Sequence, residues 1–323
     1  MKILYSLLFF NFFYLSLYVN ADPSVNIKID RNAESSANPE FVVTLRSGYT
    51  ERDKHHDYGN ELLQLALEKT RKKYGDFRLQ DLPRLNYVRT LKAAVDNSYP
   101  NLFFEANYDQ SLSTDGGLTF ISFPVDLGVI GHRVCFINPK LKESGKQFRT
   151  LEDLKPYTFA HGIAWADTQI FRHNGLTVRE IENYDGLFLM IISGRIDFFC
   201  RGANEVLDER NQFKELDLVI DDSFMLVYPL PRFFYTNSKN VLAKERIELG
   251  INLAYTDGSL KKLWLKHFSA SLKYVNPGAR NIIPMENPLL GDLKFKEQPD
   301  FIYLLQNETQ NTGGPTKTPQ RKP

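Results

Sequence analysis

Apolar positions along this chain come as short continuous runs that alternate with helical stripes. The run at 41–45, FVVTL, suits one buried strand. Residues 58–74 then carry Leu62, Leu63, Leu65, Ala66 and Tyr74 on a helical period, and Gly75 closes the predicted helix. A short alternating stretch at 77–82 predicts a second strand. A second helix follows at 83–97, striped by Leu85, Val88, Leu91, Ala94 and Val95, and a third strand at 102–104. Strands separated by helices, with no hairpin signal between them, imply right-handed crossovers and a parallel sheet covered by helices.

The segment 118–137, LTFISFPVDLGVIGHRVCFI, breaks this rhythm with two extended runs in near succession and no helix between them. The alternation then restarts. A helix opens at 151–154, a strand is expected at 158–163, and a helix begins at 167–172. Residues 184–192 read as helix and 196–200 as strand, with further strands at 224–228 and 233–236. Helices at 244–255 and 259–274 close the pattern. The expected division is one lobe at 40–125 plus 237–290 and a second at 126–236.

The ends differ from the middle. MKILYSLLFFNFFYLSLYVNA, residues 1–21, has one lysine, an unbroken apolar and aromatic run, and a small residue before Asp22. That is the build of a cleavable secretory leader. No cysteine lies near the cleavage point, so a lipid anchor is not expected. Residues 22–39 read as a flexible lead-in and 306–323 as a disordered tail. The net charge is +1, with no basic block, which argues against a nucleic-acid partner. Cys135 and Cys200, the two cysteines, sit in apolar strand-like runs. They could pair after export or stay as separate buried thiols. The six histidines show no metal-ligand spacing, and His55-His56 reads as a solvated pair in a polar loop. No cofactor or metal site is expected.

Three stretches carry a resemblance. GRID at 194–197 looks like the "G-x-x-D" strand entry, and ISFPVDLG at 121–128 like the "F-S-x-P-Y" crossing, of the bacterial extracellular solute-binding protein family 3. WADTQI, GRIDFFCRGANE and YPLPRFFY together resemble a group of solitary proteobacterial binding proteins. The resemblance covers roughly 41–268. It implies a two-lobed, type II periplasmic-binding-protein-like α/β fold. Each lobe would be a mostly parallel sheet flanked by helices, the two joined by two crossing strands. It also implies a monomer in the periplasm that traps a small-molecule solute and serves an inner-membrane transporter or sensor.

In such a fold the cleft is lined by loops at the carboxyl ends of strands. The turn AHGIAWADTQIF therefore nominates Trp165 for stacking and Thr168 for contact, with Asp167 as the helix N-cap. The loop after 45 nominates Arg46 and either Tyr49 or Tyr58 as an aromatic lid. The loop after 104 nominates Asn107 and Tyr108. Amino-acid binders of the family keep an arginine before the first crossing to clamp the α-carboxylate, and an acid after the "G-x-x-D" strand for the ammonium. Here QSLSTDGGLTF has no arginine, and Arg201 occupies the acid's place, with Glu205 four residues on. A small polar or anionic solute is the expectation. A lyase-type enzyme on the same fold, with Glu105 and Glu205 as candidate acids, and an interaction protein with a degenerate cleft are the alternatives.

Overall fold

The structure, a computed structural model, describes residues 40–48, 51, 55–114, 117–291 and 293. The expected leader, lead-in and tail, and Tyr49, lie outside the described residues. The first lobe begins with β1 (Val42–Leu45), α1 (Asp57–Tyr74), β2 (Arg78–Asp81), α2 (Tyr87–Val95), β3 (Leu102–Asn107), the short α3 (Gln110–Thr114) and β4 (Leu118–Phe120). The second lobe runs through β5 (His132–Ile137), short α4 (Pro139–Glu143) and α5 (Leu151–Leu154), β6 (Thr158–Gly162) and α6 (Ala166–His173). It continues with β7 (Thr177–Ile181), α7 (Tyr184–Ile192), β8 (Phe198–Gly202), α8 (Val206–Gln212) and β9 (Phe224–Val227). The chain then enters β10 (Arg232–Asn237), α9 (Val241–Thr256), α10 (Ser259–Val275) and β11 (Asn281–Pro284).

Two sheets result, ordered β2-β1-β3-β10-β4 and β11-β9-β5-β8-β6-β7. Each lobe mixes strand directions. Among the described residues five of nine pairings are parallel, and the four antiparallel ones join β10 to β3 and β4 and β5 to β8 and β9. The antiparallel members are the strands that enter or leave a crossing. The expected boundaries put 233–236 in the second lobe and 281–284 in the first. Their hydrogen bonds run the other way, β10 pairing with β3 and β11 with β9. A strand's lobe is decided by its partner, and both partners are distant in sequence.

The first extended run of 118–137 is mostly irregular. After β4, residues 121–128 cross to the second sheet, with Ile121, Phe123, Val125 and Leu127 buried. One apolar core continues from Val43, Phe103 and Phe234 of the first sheet through these crossing residues to Val134, Phe136 and Phe199 of the second. Trp264 and Phe268 of α10 belong to the same core, and Trp264 Nε1 donates to the carbonyl of Asp126 at 3.1 Å. The crossing is thus packed on both sides rather than strung between lobes. The GRID stretch has a structural job. Asp197 Oδ2 accepts from the Thr158 amide at 2.8 Å and ties the entry of β8 to β6.

Cys135 and Cys200 lie opposite one another in the antiparallel β5–β8 register and are joined by a disulfide. Of the two options left open by the sequence, the pair is the one realised. Among the described residues no helix is long and apolar enough to cross a membrane.

Candidate functional site

β1, β3, β6 and β8 all end at one place, and β5 and β10 begin beside them because they run antiparallel to β8 and β3. At that place lies a cavity of about 120 Å³. The first lobe contributes Arg46 just past β1, His55 and His56 ahead of α1, Tyr87, and Glu105 and Asn107 of β3 with Asp109 after them. Arg232, the first residue of β10, completes that wall. The second lobe contributes Arg133, Trp165, Asp167, Gln169, Arg201 and Glu205.

Strand alternation explains β8. Phe199 and Arg201 share a face, so the guanidinium lies 5.6 Å from the Phe199 ring and 4.7 Å from the Trp165 ring. Trp165 gets there from the β6–α6 turn, where Ala164 has a φ of 63° and Gly162 makes way for the indole. A Cβ at Gly162 would stand 2.4 Å from Trp165 Cε2. Arg201 then spends its donors on carboxylates. Nε donates to Glu209 Oε1 at 2.5 Å, and Nη2 lies 3.2 Å from Glu205 Oε2. The cation–π stack and the two carboxylates fix the guanidinium plane.

Behind it stands a second ion-pair system. Arg133 Nη2 is 2.8 Å from Asp167 Oδ1, Nε donates to Tyr228 Oη at 3.0 Å, and Nη1 reaches Glu205 Oε2 at 3.4 Å. Tyr228 donates in turn to Asp167. Burial alone would raise the Glu205 carboxyl, but Arg201, then His55, Arg133 and Arg232, outweigh it and hold the group far below its ordinary value. Asp167 is likewise held low, chiefly by Arg133 against burial. Its predicted capping role does not occur: the carboxylate is spent on Arg133 and Tyr228, and Trp165 occupies the N-cap position.

The lobes meet through His55. Its Nε2 is 2.8 Å from Glu209 Oε1, 2.8 Å from Tyr184 Oη and 3.1 Å from Arg201 Nη2. His56 is buried, with Nδ1 3.1 Å from Glu105 Oε2. The solvated reading of this pair is therefore overturned, because both imidazoles meet buried carboxylates, His55 at Glu209 and His56 at Glu105. On the same side Arg232 pairs with Asp126 at 3.2 Å. Burial, with Glu105 and Glu205 adding to it, pushes Asp126 up to about 6 although Arg232 opposes the shift.

Of the residues nominated from the sequence, Arg46, Asn107, Trp165, Arg201 and Glu205 line the cavity. Thr168 is buried in the first turn of α6 and does not line it. Tyr108 packs edge-on against Phe120 and Phe233. Tyr58 donates to the Val125 carbonyl at 2.8 Å and lines a separate cavity of about 30 Å³. Tyr49 lies outside the described residues. Sequence reasoning passed over Arg232 and took His55 for a solvated residue. The signal available for Arg232 was its place after Pro231 at the head of an apolar strand, where a charge must sit at the strand end.

His161 of β6 is fully buried beneath Trp165, 4.5 Å edge-on from Phe171, and neither ring nitrogen has a partner among the described residues. Burial first, then Arg133, Arg201 and Arg172, push it from 6.5 down to about 4 against the pull of Asp167. The folded chain therefore binds fewer protons than the unfolded one between those values. His161 thus takes away stability as pH falls through that window, by up to about 3 kcal/mol. The His161→Phe variant should gain on the parent by that much between pH 7.5 and pH 4, measured as the difference in urea unfolding free energy. A difference that stays flat with pH would show that His161 is not held neutral.

No protein-family model and no curated protein matches this sequence. Solved structures do match its fold. An ancestral arginine-binding protein bound to arginine superposes with a TM-score of 0.52 at 14% identity, over 70% of this chain and 98% of its own. The GluR0 ligand-binding core from Nostoc punctiforme, in complex with L-glutamate, gives 0.52 at 13%, over 71% and 99%. An ancestral amino acid-binding protein described as a precursor of cyclohexadienyl dehydratase gives 0.51 at 13%, over 70% and 95%. At these identities the likeness is one of architecture, and the chain carries the two-lobed fold of the periplasmic binding proteins.

Proposed function

We propose that the protein is a periplasmic solute-binding protein that closes its two lobes on a small polar or anionic solute and presents it to an inner-membrane transporter or sensor. The observation that carries this reading is the cavity between the sheets, walled by polar side chains from both lobes. Trp165 and Arg201 present one flat, charged surface, and Arg46, Glu105 and Arg232 face them. A solute held by both walls favours the closed arrangement by its differential affinity for it. The relatives in fold that bind arginine, glutamine or glutamate support a solute role without naming the solute.

A thermal-shift screen of the mature protein against amino acids, organic acids, peptides and sugars tests the proposal. A true solute at roughly a hundred times its dissociation constant stabilises by about 2.7 kcal/mol and should raise Tm by about 5–10 °C. A silent screen across these classes would remove the reading. An enzyme on this fold is the second reading, supported by the dehydratase precursor among the similar structures and by the raised pKa of Glu105. Recovery of a bound compound unchanged, by mass spectrometry after long incubation, favours binding; a product favours the enzyme.

A further inference from the structure

Glu105 stands apart from the other carboxylates of the cavity. Asp167 is spent on Arg133 and Tyr228, and Glu205 on Arg133, Arg201 and the Gly202 amide. Glu105 is 4% exposed and lines the cavity; its Oε2 meets His56, but its buried Oε1 has no hydrogen-bond partner among the described residues. Such an orphaned acceptor costs about 1–3 kcal/mol.

The fold makes room for this carboxyl. Residue 59, inside α1, is glycine, and a Cβ there would stand 1.9 Å from Glu105 Oε1. The first turn of α1 thus seats a carboxyl whose Oε1 is left unsatisfied. Burial raises its pKa, with Arg232, Arg46 and His55 pulling the other way. The packing of Oε1 against Gly59 explains the glycine but not the orphan; a solute donor that draws the carboxyl from Gly59 into the cavity would satisfy it.

We propose that Glu105 is the specificity-determining residue of the cavity, accepting a hydrogen bond from a hydroxyl or amine of the solute and disfavouring carboxylates that carry no such donor. This rests on the solute-binding reading above and adds the class of group recognised. A donor-free anion leaves Oε1 unpaired and brings its own lone pairs towards it, which is discrimination by an unmet acceptor.

Matched probes test it on the full mature chain. Acetate, glycolate and glycine share one skeleton; so do propionate, L-lactate and L-alanine, and succinate, L-malate and L-aspartate. Within each set the members differ by hydrogen, hydroxyl or ammonium. Thermal-shift titration should find a donor-bearing member about tenfold tighter than its donor-free partner in at least one set. Glu105→Gln should shrink that ratio to about threefold or less. Because Glu105→Gln could disturb the fold, Gly59→Ala serves as the second variant. It keeps the carboxyl in the protein but displaces it, and should shrink the ratio likewise. Equal binding of donor-bearing and donor-free members, or an undiminished ratio in both folded variants, overturns the proposal while leaving solute binding intact. Silence from all the matched probes overturns it too. The broader reading falls only if the wide screen is also silent.

Discussion

Replacing Arg201 by alanine should lower Tm by about 10 °C or more, besides abolishing solute binding. The guanidinium is buried between Glu209, whose side chain has no exposure, and Glu205 at 8%. Removing it takes a guanidinium from two buried carboxylates, a loss of about 3–5 kcal/mol for broken buried pairs. The substitution does not therefore behave like a clean removal of a ligand contact. Glu205 keeps the guanidinium of Arg133, whereas Glu209 falls back on His55 and Tyr184, so Glu209 bears most of the loss. A double variant, Arg201→Met with Glu209→Met, removes both buried charges together and should recover most of the lost stability. It should not recover binding. A single variant that unfolds within a degree or two of the parent would show that the carboxylates do not depend on Arg201. Recovery of binding in the double variant would remove Arg201 from the site.

Arg201 also shows what was legible in the sequence and what was not. Its position followed from an apolar run that had to end at the mouth of a sheet. Its partners divide by distance. Glu205, four residues on, was within reach of local reasoning. His55 was not, because it comes from the other lobe, 146 positions earlier. The same division runs through the fold. The helix read at 58–74 appears as Asp57–Tyr74, since its stripe, its start and its closing glycine are all local. The helix read from 83 starts only at Tyr87, because the Asn86 side chain accepts from the Arg89 amide and fixes the cap there. β7 and β11 went unread. TVREI has few apolar residues because it is an edge strand, and NIIP is a strand only through its pairing with β9. Pairing across the chain, not propensity, makes both elements, and pairing leaves no local trace.

The cysteines carry the second large effect. Changing both Cys135 and Cys200 to alanine should cost about 4 kcal/mol and lower Tm by about 8–16 °C. The bridge spans a sequence separation of 65, and the loop it closes contains β5 to β8 with α4 to α7, most of the second lobe. Cross-linking a loop of that length removes much of the freedom of the unfolded chain while asking little of the folded one. Both cysteines are at most 2% exposed, so reductant reaches the bond only when the β5–β8 pair opens. Reduction of the native protein should therefore be slow, and reduction in denaturant fast. Protein made in a reducing compartment should hold two thiols and melt lower, and protein made in an oxidising one should hold none. Mass spectrometry after alkylation under denaturing conditions counts them directly. Two free thiols in protein made under oxidising conditions would overturn the bridge and leave β5 and β8 joined by hydrogen bonds and packing alone. An unchanged Tm in the double variant would mean that the bridge adds nothing to a lobe already held by those contacts.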